Sequence, residues 1–164
     1  MILDIVTLND QMLHSKSEEV KEIDTEIVKL VKDMYDTMEL AKGVGLSAVQ
    51  VGVLKRIFVT DVPQKGGKLV VINPVIKDLS EKRRVYEEGC LSIPGISGDI
   101  ERPDTVVIEF LDIRGKLQRV HANSLLATCI QHEFDHLNGI LFIDKLDPEI
   151  KLKKINEYRK QHRL

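Results

Sequence analysis

Apolar residues recur at helical spacing over the segment from Asp24 to Ala41. They lie three or four residues apart, at Ile27, Leu30, Val31, Met34 and Met38. This period places them on one face of a helix. Asp24 is a favourable N-cap residue, and Gly43 suits the left-handed conformation that often follows a helix. The pattern predicts a long N-terminal helix over residues 24–41.

Two further segments carry the start and stop signals of helices. One begins at Asn123-Ser124, continues through an apolar run and ends at Asn138-Gly139, residues that are favoured just after a helix. The other begins at Asp147-Pro148, a capping residue followed by proline in the first helical position, and continues to Arg163. The sequence therefore predicts a central helix and a C-terminal helix rich in Lys and Arg.

Strand signals lie between the first two helices, in segments rich in β-branched and apolar residues. These segments are residues 56–61, 69–72, 105–113 and 117–121. Gly66-Gly67 and Arg114-Gly115 predict the turns within the two pairs, and the second strand runs into Asn73-Pro74. We expect an α+β protein in which small mixed or antiparallel sheets surround the central helix, with a long N-terminal helix and a C-terminal helix.

Size and composition narrow the class of protein. With 164 residues the chain fits a single domain, residues 1–164. Its 24 basic residues face 26 acidic ones, which gives a net charge of −2, and aromatic residues make up only 4%. This balance disfavours a globally basic nucleic-acid binder and a base-stacking surface. We therefore expect no sequence-specific binding of nucleic acid.

The sequence shows no segment that would direct the chain to a membrane. No run approaches the roughly 18 apolar residues of a membrane span. The first residues carry Asp4 inside a short apolar run and have no basic region of a signal peptide. We expect a cytoplasmic protein with no membrane partner, in which the two cysteines, Cys90 and Cys129, stay reduced. Such thiols are structural residues, metal ligands or nucleophiles.

The central helix carries the pattern H-E-x-x-H at residues 132–136. Residues four apart lie about 40° apart around a helix axis, one turn along it, so His132 and His136 can reach one ion. Glu133 stands beside the first histidine and can accept a proton from a water at that ion. Two ordinary surface histidines are the alternative, which the apolar helix with clear ends disfavours.

A catalytic site of this kind needs a third protein ligand and an open position. Some zinc proteases place a third histidine six residues after the second, where this chain has Phe142. Others use a glutamate on a following helix, for which Glu149 and Glu157 are candidates, although little chain remains to build that lobe. Three histidines are weaker candidates because they lie near the chain ends or close a strand: His14, His121 and His162.

The two thiols are the remaining candidates for the third ligand. Cys129 lies about 7.5 Å along the helix axis from the midpoint of the two histidines, whereas a metal–sulfur bond is about 2.3 Å. It is better explained as a small buried apolar residue. Cys90 lies on a separate segment, between Gly89 and Pro94, and can approach the helix from outside. Spacing alone leaves both a ligand and a buried thiol open at Cys90.

Three motifs together resemble those of the bacterial type of peptide deformylase. They are Gly43-Val-Gly-Leu-Ser-Ala-Val-Gln50, Glu88-Gly-Cys-Leu-Ser92 and Gln131-His-Glu-Phe-Asp-His136. Their order and separations match that family, and the similarity covers essentially the whole chain. It implies a metal-dependent hydrolase that removes the formyl group from the N-terminal formyl-methionine of newly synthesised proteins. Ser47 departs from the pattern, because the family most often has alanine there.

The resemblance also implies a role for each matching residue. The implied metal ligands are Cys90, His132 and His136. Glu133 would be the general acid and base, while the Gln50 side-chain amide and the Leu91 backbone N–H would stabilise the oxyanion. Without the resemblance, Gln50 is better explained as a polar loop residue.

Substrate binding is less readable from the motifs. The resemblance implies that Gly45 belongs to the loop along which the substrate backbone lies. It also implies a narrow apolar pocket for the methionine side chain, for which Val44, Leu125 and Cys129 are candidates. Plain core packing explains Leu125 and Cys129 nearly as well. Residues 95–99 vary in the family, so we assign no substrate contact to them.

The ligand set and the resemblance imply one divalent metal ion per chain. One thiolate with two imidazoles suits Zn²⁺, Fe²⁺, Co²⁺ and Ni²⁺, whereas Mg²⁺ and Ca²⁺ prefer oxygen. The resemblance favours Fe²⁺ as the native ion, with Zn²⁺, Ni²⁺ or Co²⁺ able to occupy the same site. The implied partners are N-formyl-methionyl nascent polypeptides. The basic C-terminal helix is either a solvated face or a contact with the ribosome.

Two rival functions have to be weighed against the deformylase. A small H-E-x-x-H metalloendopeptidase is disfavoured by the missing third histidine and by the motif around Cys90. A non-catalytic, ribosome-associated module with a structural metal is disfavoured by Glu133 beside an open position, because structural metal sites are usually closed.

Overall fold

The computed structural model describes residues 1–164, which form three α-helices and seven strands. The helices are α1 (Thr25–Leu40), α2 (Ser124–Leu137) and α3 (Pro148–Gln161). The strands are β1 (Gly45–Ser47), β2 (Ile57–Asp61), β3 (Lys68–Leu79), β4 (Arg83–Gly89), β5 (Ser97–Pro103), β6 (Val106–Leu111) and β7 (Leu117–Ala122). Short 3-10 helices at Gln11–His14, Ala48–Val51 and Phe142–Lys145 lie in the connections.

The strands form two separate antiparallel sheets. Five of them pair in the order β1-β2-β3-β6-β7, while β4 and β5 form a hairpin of their own. The predicted turns are present: Gly66 between β2 and β3 and Gly115 between β6 and β7 both have positive φ, at 74° and 78°. The predicted α+β class, with small antiparallel sheets around a central helix, is confirmed.

The five-stranded sheet lies between α1 and α2. Because side chains alternate along a strand, β2 presents Phe58 to the α2 side and Ile57 and Val59 to the α1 side. All three are fully buried. The cluster on the α2 side includes Leu126, Ala127, Ile130, Val106, Ile108 and Phe110. This packing fixes α2 against the sheet.

The helix ends follow the sequence signals, with one exception. The Asp24 side chain caps α1 by accepting from the Ile27 N–H at 3.0 Å. After α1, however, Lys42 and not Gly43 takes the left-handed conformation, with φ at 59°. Gly43 is needed for space, since a Cβ there would lie 2.8 Å from Leu91 Cδ1.

The second predicted strand is wrong in length, because β3 continues through Asn73-Pro74 to Leu79. Asn73 takes a φ of 52°, and the pairing with β6 shifts register between Ile72 and Val75. A bulge of this kind lets proline stay in a strand, since the ladder is locally interrupted. The Asn73 side chain also bonds both backbone groups of Val20, at 2.8 and 2.9 Å.

The strands β1, β4 and β5 were not predicted. In β4 the only buried residue is Glu88, and in β5 the buried residues are Ile100 and Arg102. Charged side chains therefore occupy buried strand positions, which hides the apolar alternation on which the prediction depends.

The β4–β5 hairpin rests on a third cluster of apolar side chains. Its members are Leu13, Ile93, Ile96, Ile100, Leu141, Phe142, Ile143 and Tyr158. Tyr158 is the one buried residue of α3, and the partly buried Ile155 packs against the same cluster. None of the three helices combines the length and apolar character that crossing a membrane requires.

Candidate active site

Helix α2 presents the three polar residues of the H-E-x-x-H motif on neighbouring faces. The imidazole rings of His132 and His136 lie with their centroids 5.0 Å apart, as expected for residues one helical turn apart. His136 is fully buried and Glu133 is 2% exposed. The local geometry of the helix therefore brings two imidazoles and a carboxylate to one place, as the motif predicts.

Cys90 reaches these histidines from the turn that follows β4. Its Sγ lies 3.4 Å from His136 Nε2, and the candidate ligand atoms of Cys90, His132 and His136 all lie within 4.8 Å of one another. A thiolate and two imidazoles at this separation form a donor set suited to a transition metal. Cys129 does not join them, since its Sγ faces the Val44 carbonyl at 3.5 Å.

A buried ion-pair network holds His132 in orientation. Glu88 Oε1 lies 2.9 Å from His132 Nδ1, and Arg102 binds the same carboxylate through two N–H groups, at 2.6 and 3.0 Å. Burial opposes ionisation of Glu88, but the hydrogen bonds from His132 and Arg102 outweigh it and lower its pKa. A carboxylate can only accept, so Nδ1 carries the hydrogen and Nε2 is left for a metal.

Glu133 is held in a dry and crowded position. Its Oε1 is buried without a hydrogen-bond partner, and its Oε2 lies 2.9 Å from where a Cβ on Gly45 would be. Burial raises the pKa of Glu133 to about 7. A carboxyl group that titrates near neutrality can both accept and return a proton.

Two candidate N–H donors lie close to Cys90. Gln50 Nε2 lies 3.5 Å from Cys90 Sγ and 3.1 Å from Ser92 Oγ. The backbone N–H of Leu91 donates to no other backbone group of the chain. Both residues that the resemblance marks as oxyanion donors are therefore close to Cys90.

A cavity of about 560 Å³ opens beside these groups. All four residues predicted to contact substrate line it: Val44, Gly45, Leu125 and Cys129. It is also lined by Gln50, Cys90, Leu91, His132 and Glu133. Burial raises the pKa of the Cys129 thiol, so the sulfur presents a neutral, apolar surface to the cavity.

Several residues of this site were missed by sequence reasoning. The far wall of the cavity includes Ile93, Pro94, Gly95, Ile96 and Ser97, although no contact was assigned to residues 95–99. The Gly and Pro signals directly after the cysteine motif could have pointed to them. Glu88 lies inside the motif around Cys90, but nothing in the sequence around Arg102 indicates that it would be the partner of Glu88.

Comparison with known proteins agrees with the geometry. The family model described as polypeptide deformylase matches residues 2–152. A peptide deformylase of Finegoldia magna is 50% identical over 138 residues, which cover 84% of this chain and 85% of the relative. One from Rhizobium meliloti is 49% identical over 153 residues, covering 92% and 86%.

Solved structures show the same relationship. The crystal structure of peptide deformylase from Ehrlichia chaffeensis superimposes with a TM-score of 0.96 at 41% identity, covering 99% of this chain and 98% of the other. A second structure of that enzyme, in complex with actinonin, gives a TM-score of 0.95 at 42% identity, covering 99% of each chain. The predicted resemblance to this family is thereby confirmed, and the chain belongs to the peptide deformylase family, whose members are metal-dependent hydrolases acting on formylated nascent peptides.

Proposed function

We propose that Cys90, His132 and His136 hold the single divalent metal of this deformylase and that Glu133 moves the protons of the reaction. The observation that carries the proposal is the convergence of three ligand atoms within 4.8 Å beside a buried carboxylate oxygen that has no partner in the chain. A buried, unpaired carboxylate is costly, so its place here is best explained by a partner supplied during turnover.

A divalent metal bound to these residues would lower the pKa of a water and polarise the formyl carbonyl. The chain itself must then handle the protons. Glu133 takes a proton from the attacking water and returns it to the leaving amine, which its position and its pKa of about 7 both suit. Glu88 keeps His132 in the tautomer that presents Nε2.

Charge that develops on the formyl oxygen needs donors that are already in place. The side-chain amide of Gln50 and the backbone N–H of Leu91 serve this role in our proposal. Both lie beside Cys90, and the Leu91 N–H has no competing backbone acceptor. Losing one such donor typically lowers the rate by ~10²–10³.

We further propose that the methionine side chain of the substrate enters the cavity between Val44, Leu125 and Cys129, with the substrate backbone along Gly45. The three side chains offer an apolar surface beside the reacting groups. We expect this arrangement to accept a formyl group and to exclude a larger acyl group, because the packing around Gly45 leaves no room for an added methyl.

The identity of the metal and the cellular location of the protein are linked, because both depend on the cysteine ligand staying reduced. We propose Fe²⁺ as the native ion and the cytoplasm as the location. Both cysteines are free thiols, and a thiolate ligand has to stay reduced to bind metal. Zn²⁺ generally binds N/S sites more tightly than Fe²⁺, so zinc is expected in protein that has been purified in air.

The ligand assignment is tested by two matched cysteine variants. Cys90→Ala is expected to lose most of its metal, measured by elemental analysis after anaerobic purification, because it removes one of three ligands. Cys129→Ala is expected to keep a stoichiometric metal. If Cys129→Ala emptied the site and Cys90→Ala left it filled, the assignment would have to be abandoned.

Reconstitution tests the identity of the metal. Chelation should abolish hydrolysis of a formyl-Met peptide, and Fe²⁺, Co²⁺ or Ni²⁺ should restore it under anaerobic conditions. A casein assay run beside it should show no cleavage; proteolysis without deformylation would favour the endopeptidase, and full activity in chelator would exclude the metal role.

We also propose that α3 contacts the ribosome through its basic face. The helix carries exposed Lys153, Arg159 and Lys160, and such a cluster suits RNA phosphates. The test is co-sedimentation with ribosomes at low and high salt. Lys153→Glu with Lys160→Glu should weaken the association while hydrolysis of a short formyl-Met peptide stays unchanged; an unaltered association would contradict the contact.

A further inference from the structure

The amide of Gln50 is held from its carbonyl side by one residue, Ser47. Gln50 Oε1 accepts a hydrogen bond from the Ser47 backbone N–H at 3.0 Å and a second from the Ser47 hydroxyl at 2.9 Å. Ser47 is fully buried and Gln50 is 1% exposed. Water therefore has little access to either group, and Ser47 supplies both of the donors that this oxygen binds.

These two bonds decide which end of the amide faces Cys90. A half-turn of the Gln50 amide would bring its NH₂ group against the Ser47 backbone N–H, two donors facing each other. It would also turn Oε1 toward the sulfur of Cys90, which now lies 3.5 Å from Nε2. The observed orientation leaves the NH₂ group directed at Cys90 and at Ser92 Oγ.

The Ser47 hydroxyl adds a second hydrogen bond to Gln50 Oε1, which the backbone N–H alone does not provide. An alanine at position 47 would keep the backbone bond but would leave one lone pair of a buried oxygen without a donor. A second bond to Oε1 also withdraws electron density from the amide, which makes its N–H groups better donors. Serine is thus suited to strengthen the Gln50 amide as well as to orient it.

The place of Ser47 in the fold makes this arrangement rigid. Ser47 ends β1, where it pairs with Phe58 of β2, and it directly precedes the short 3-10 helix Ala48–Val51 that carries Gln50. Ser47 is thus fixed in the sheet, and Gln50 is held close to it by the short helix that follows directly. The bond from the Ser47 N–H to Oε1 is one half of a capping box, whose other half joins the Ser47 side chain to the Gln50 backbone. Capping of that short helix alone is therefore the alternative role for the Ser47 hydroxyl.

We infer that Ser47 is a positioning residue for this deformylase, whose hydroxyl holds and polarises the Gln50 amide so that its N–H groups are directed at the reacting oxygen. The inference rests on the oxyanion role proposed for Gln50. It concerns the one motif position where the chain departs from the alanine that is most frequent in the family.

Kinetics give the first test. Ser47→Ala is expected to lower kcat roughly 3- to 10-fold with little change in KM, the size expected for one hydrogen bond. Ser47→Thr, which retains the hydroxyl, should recover most of the loss. The matched control is Ser17→Ala, which removes a buried hydroxyl that has no hydrogen-bond partner and lies outside the cavity; its kcat should not change.

A side-chain NMR signal gives a test that does not depend on turnover. The ¹⁵N-labelled amide of Gln50 can be assigned by its absence in Gln50→Ala and followed in both metal-free and zinc-loaded protein. In Ser47→Ala its chemical shift should move and its hydrogens should exchange faster with water. In Ser17→Ala the signal should stay in place. An unchanged amide signal in a folded Ser47→Ala protein would mean that the hydroxyl does not bond the Gln50 amide, which would overturn the inference.

A variant that combines Ser47→Ala with Gln50→Ala tests the role of Ser47 separately from the oxyanion role proposed for Gln50. If Ser47 acts through Gln50, Ser47→Ala should cause no further loss of kcat in a Gln50→Ala background. An equal loss in both backgrounds, with Gln50→Ala itself impaired, would overturn the inference alone. Normal kcat in Gln50→Ala would instead remove the oxyanion role of Gln50, and the role of Ser47 with it.

Discussion

The two walls of the active-site cavity are built in different ways. One wall is α2 with the adjoining β1, where a Cβ on Gly45 would lie 2.7 Å from Cys129 Sγ and 2.9 Å from Glu133 Oε2. The other begins at the end of β4 and continues into the following turn; at its start, a Cβ on Gly89 would meet only the Ile96 carbonyl, at 3.7 Å. The first wall has no free space next to the proton-transfer group, whereas the second has room for a methyl group at Gly89.

This difference suggests that the packed wall positions the reacting groups, whereas the turn mainly leaves space for the substrate. Proton transfer and attack depend on positions held within fractions of an ångström, and the packed wall provides them through a buried helix. The turn after β4 supplies Cys90 but then continues into Pro94 and Gly95, which border the cavity mouth. We therefore expect substitutions in the packed wall to reduce catalysis, and those in the turn beyond Cys90 and Leu91 to act more weakly.

The largest expected effect comes from the packed wall itself. Glu133→Ala should lower kcat/KM by ~10²–10⁴, the usual contribution of a general acid or base, while metal content stays near that of the wild type. Glu149→Ala, at an exposed position of α3, is the control. Stoichiometric loss of metal would make Glu133 a ligand, and near-normal turnover would contradict its role in proton transfer.

The space between the walls can be probed with the acyl group of the substrate. Peptides that begin with formyl-Met should react roughly 5- to 150-fold faster than acetyl-Met peptides, since one extra methyl in a packed site costs ~1–3 kcal/mol. Initial rates at limiting substrate give the ratio. Equal rates would mean that the cavity is wider than the packing around Gly45 implies.

A pair of glycine substitutions compares the walls directly. Gly45→Ala should lower kcat/KM roughly tenfold, because its methyl group would displace Glu133 and Cys129 at an overpacking cost of ~1–3 kcal/mol. Gly89→Ala, which meets only an ordinary contact, should cause a much smaller loss. The contrast between the walls fails if the two variants lose activity equally. Gly45→Ala with Cys129→Ala, which relieves one of the contacts, should recover part of the loss.

The smallest expected effect concerns the turn where it lies next to the Gln161 side chain of α3. Gly95 has a φ of +84°, and a Cβ there would contact the Gln161 side chain, whereas Gly52 has the same φ with open space around it. Gly52→Ala should therefore cost only the left-handed strain of ~1–2 kcal/mol, and Gly95→Ala somewhat more. Thermal unfolding measures both.

Truncating the Gln161 side chain in the Gly95→Ala protein completes the comparison. Gln161→Ala should bring the stability of Gly95→Ala close to that of Gly52→Ala, because only the backbone strain would remain. If Gly95→Ala were no less stable than Gly52→Ala to begin with, the Gln161 side chain would not crowd position 95.

Much of the fold could be predicted because it follows from local patterns. The apolar period of α1, the capping residues and the H-E-x-x-H spacing all act within one or two helical turns, where backbone geometry sets the distances. The hairpin of β4 and β5 escaped prediction because Glu88 and Arg102 occupy its buried positions. A charged pair is tolerated there only because each side chain finds its partner across the hairpin.

By itself, then, the sequence determined that two imidazoles and the Glu133 carboxylate would share one turn of a helix, since a rise of about 1.5 Å per residue leaves them no other separation. Only the tertiary structure decided which thiol completes the cluster. Cys90 and His136 are separated by 46 positions in the chain and yet lie 3.4 Å apart, because their distance depends on how the β4–β5 hairpin packs beside α2. The same packing placed Cys90 and Ser92 against the Gln50 amide, although they lie 40 and 42 positions away in the chain. The orientation of that amide, by contrast, is set locally by Ser47, three residues before it.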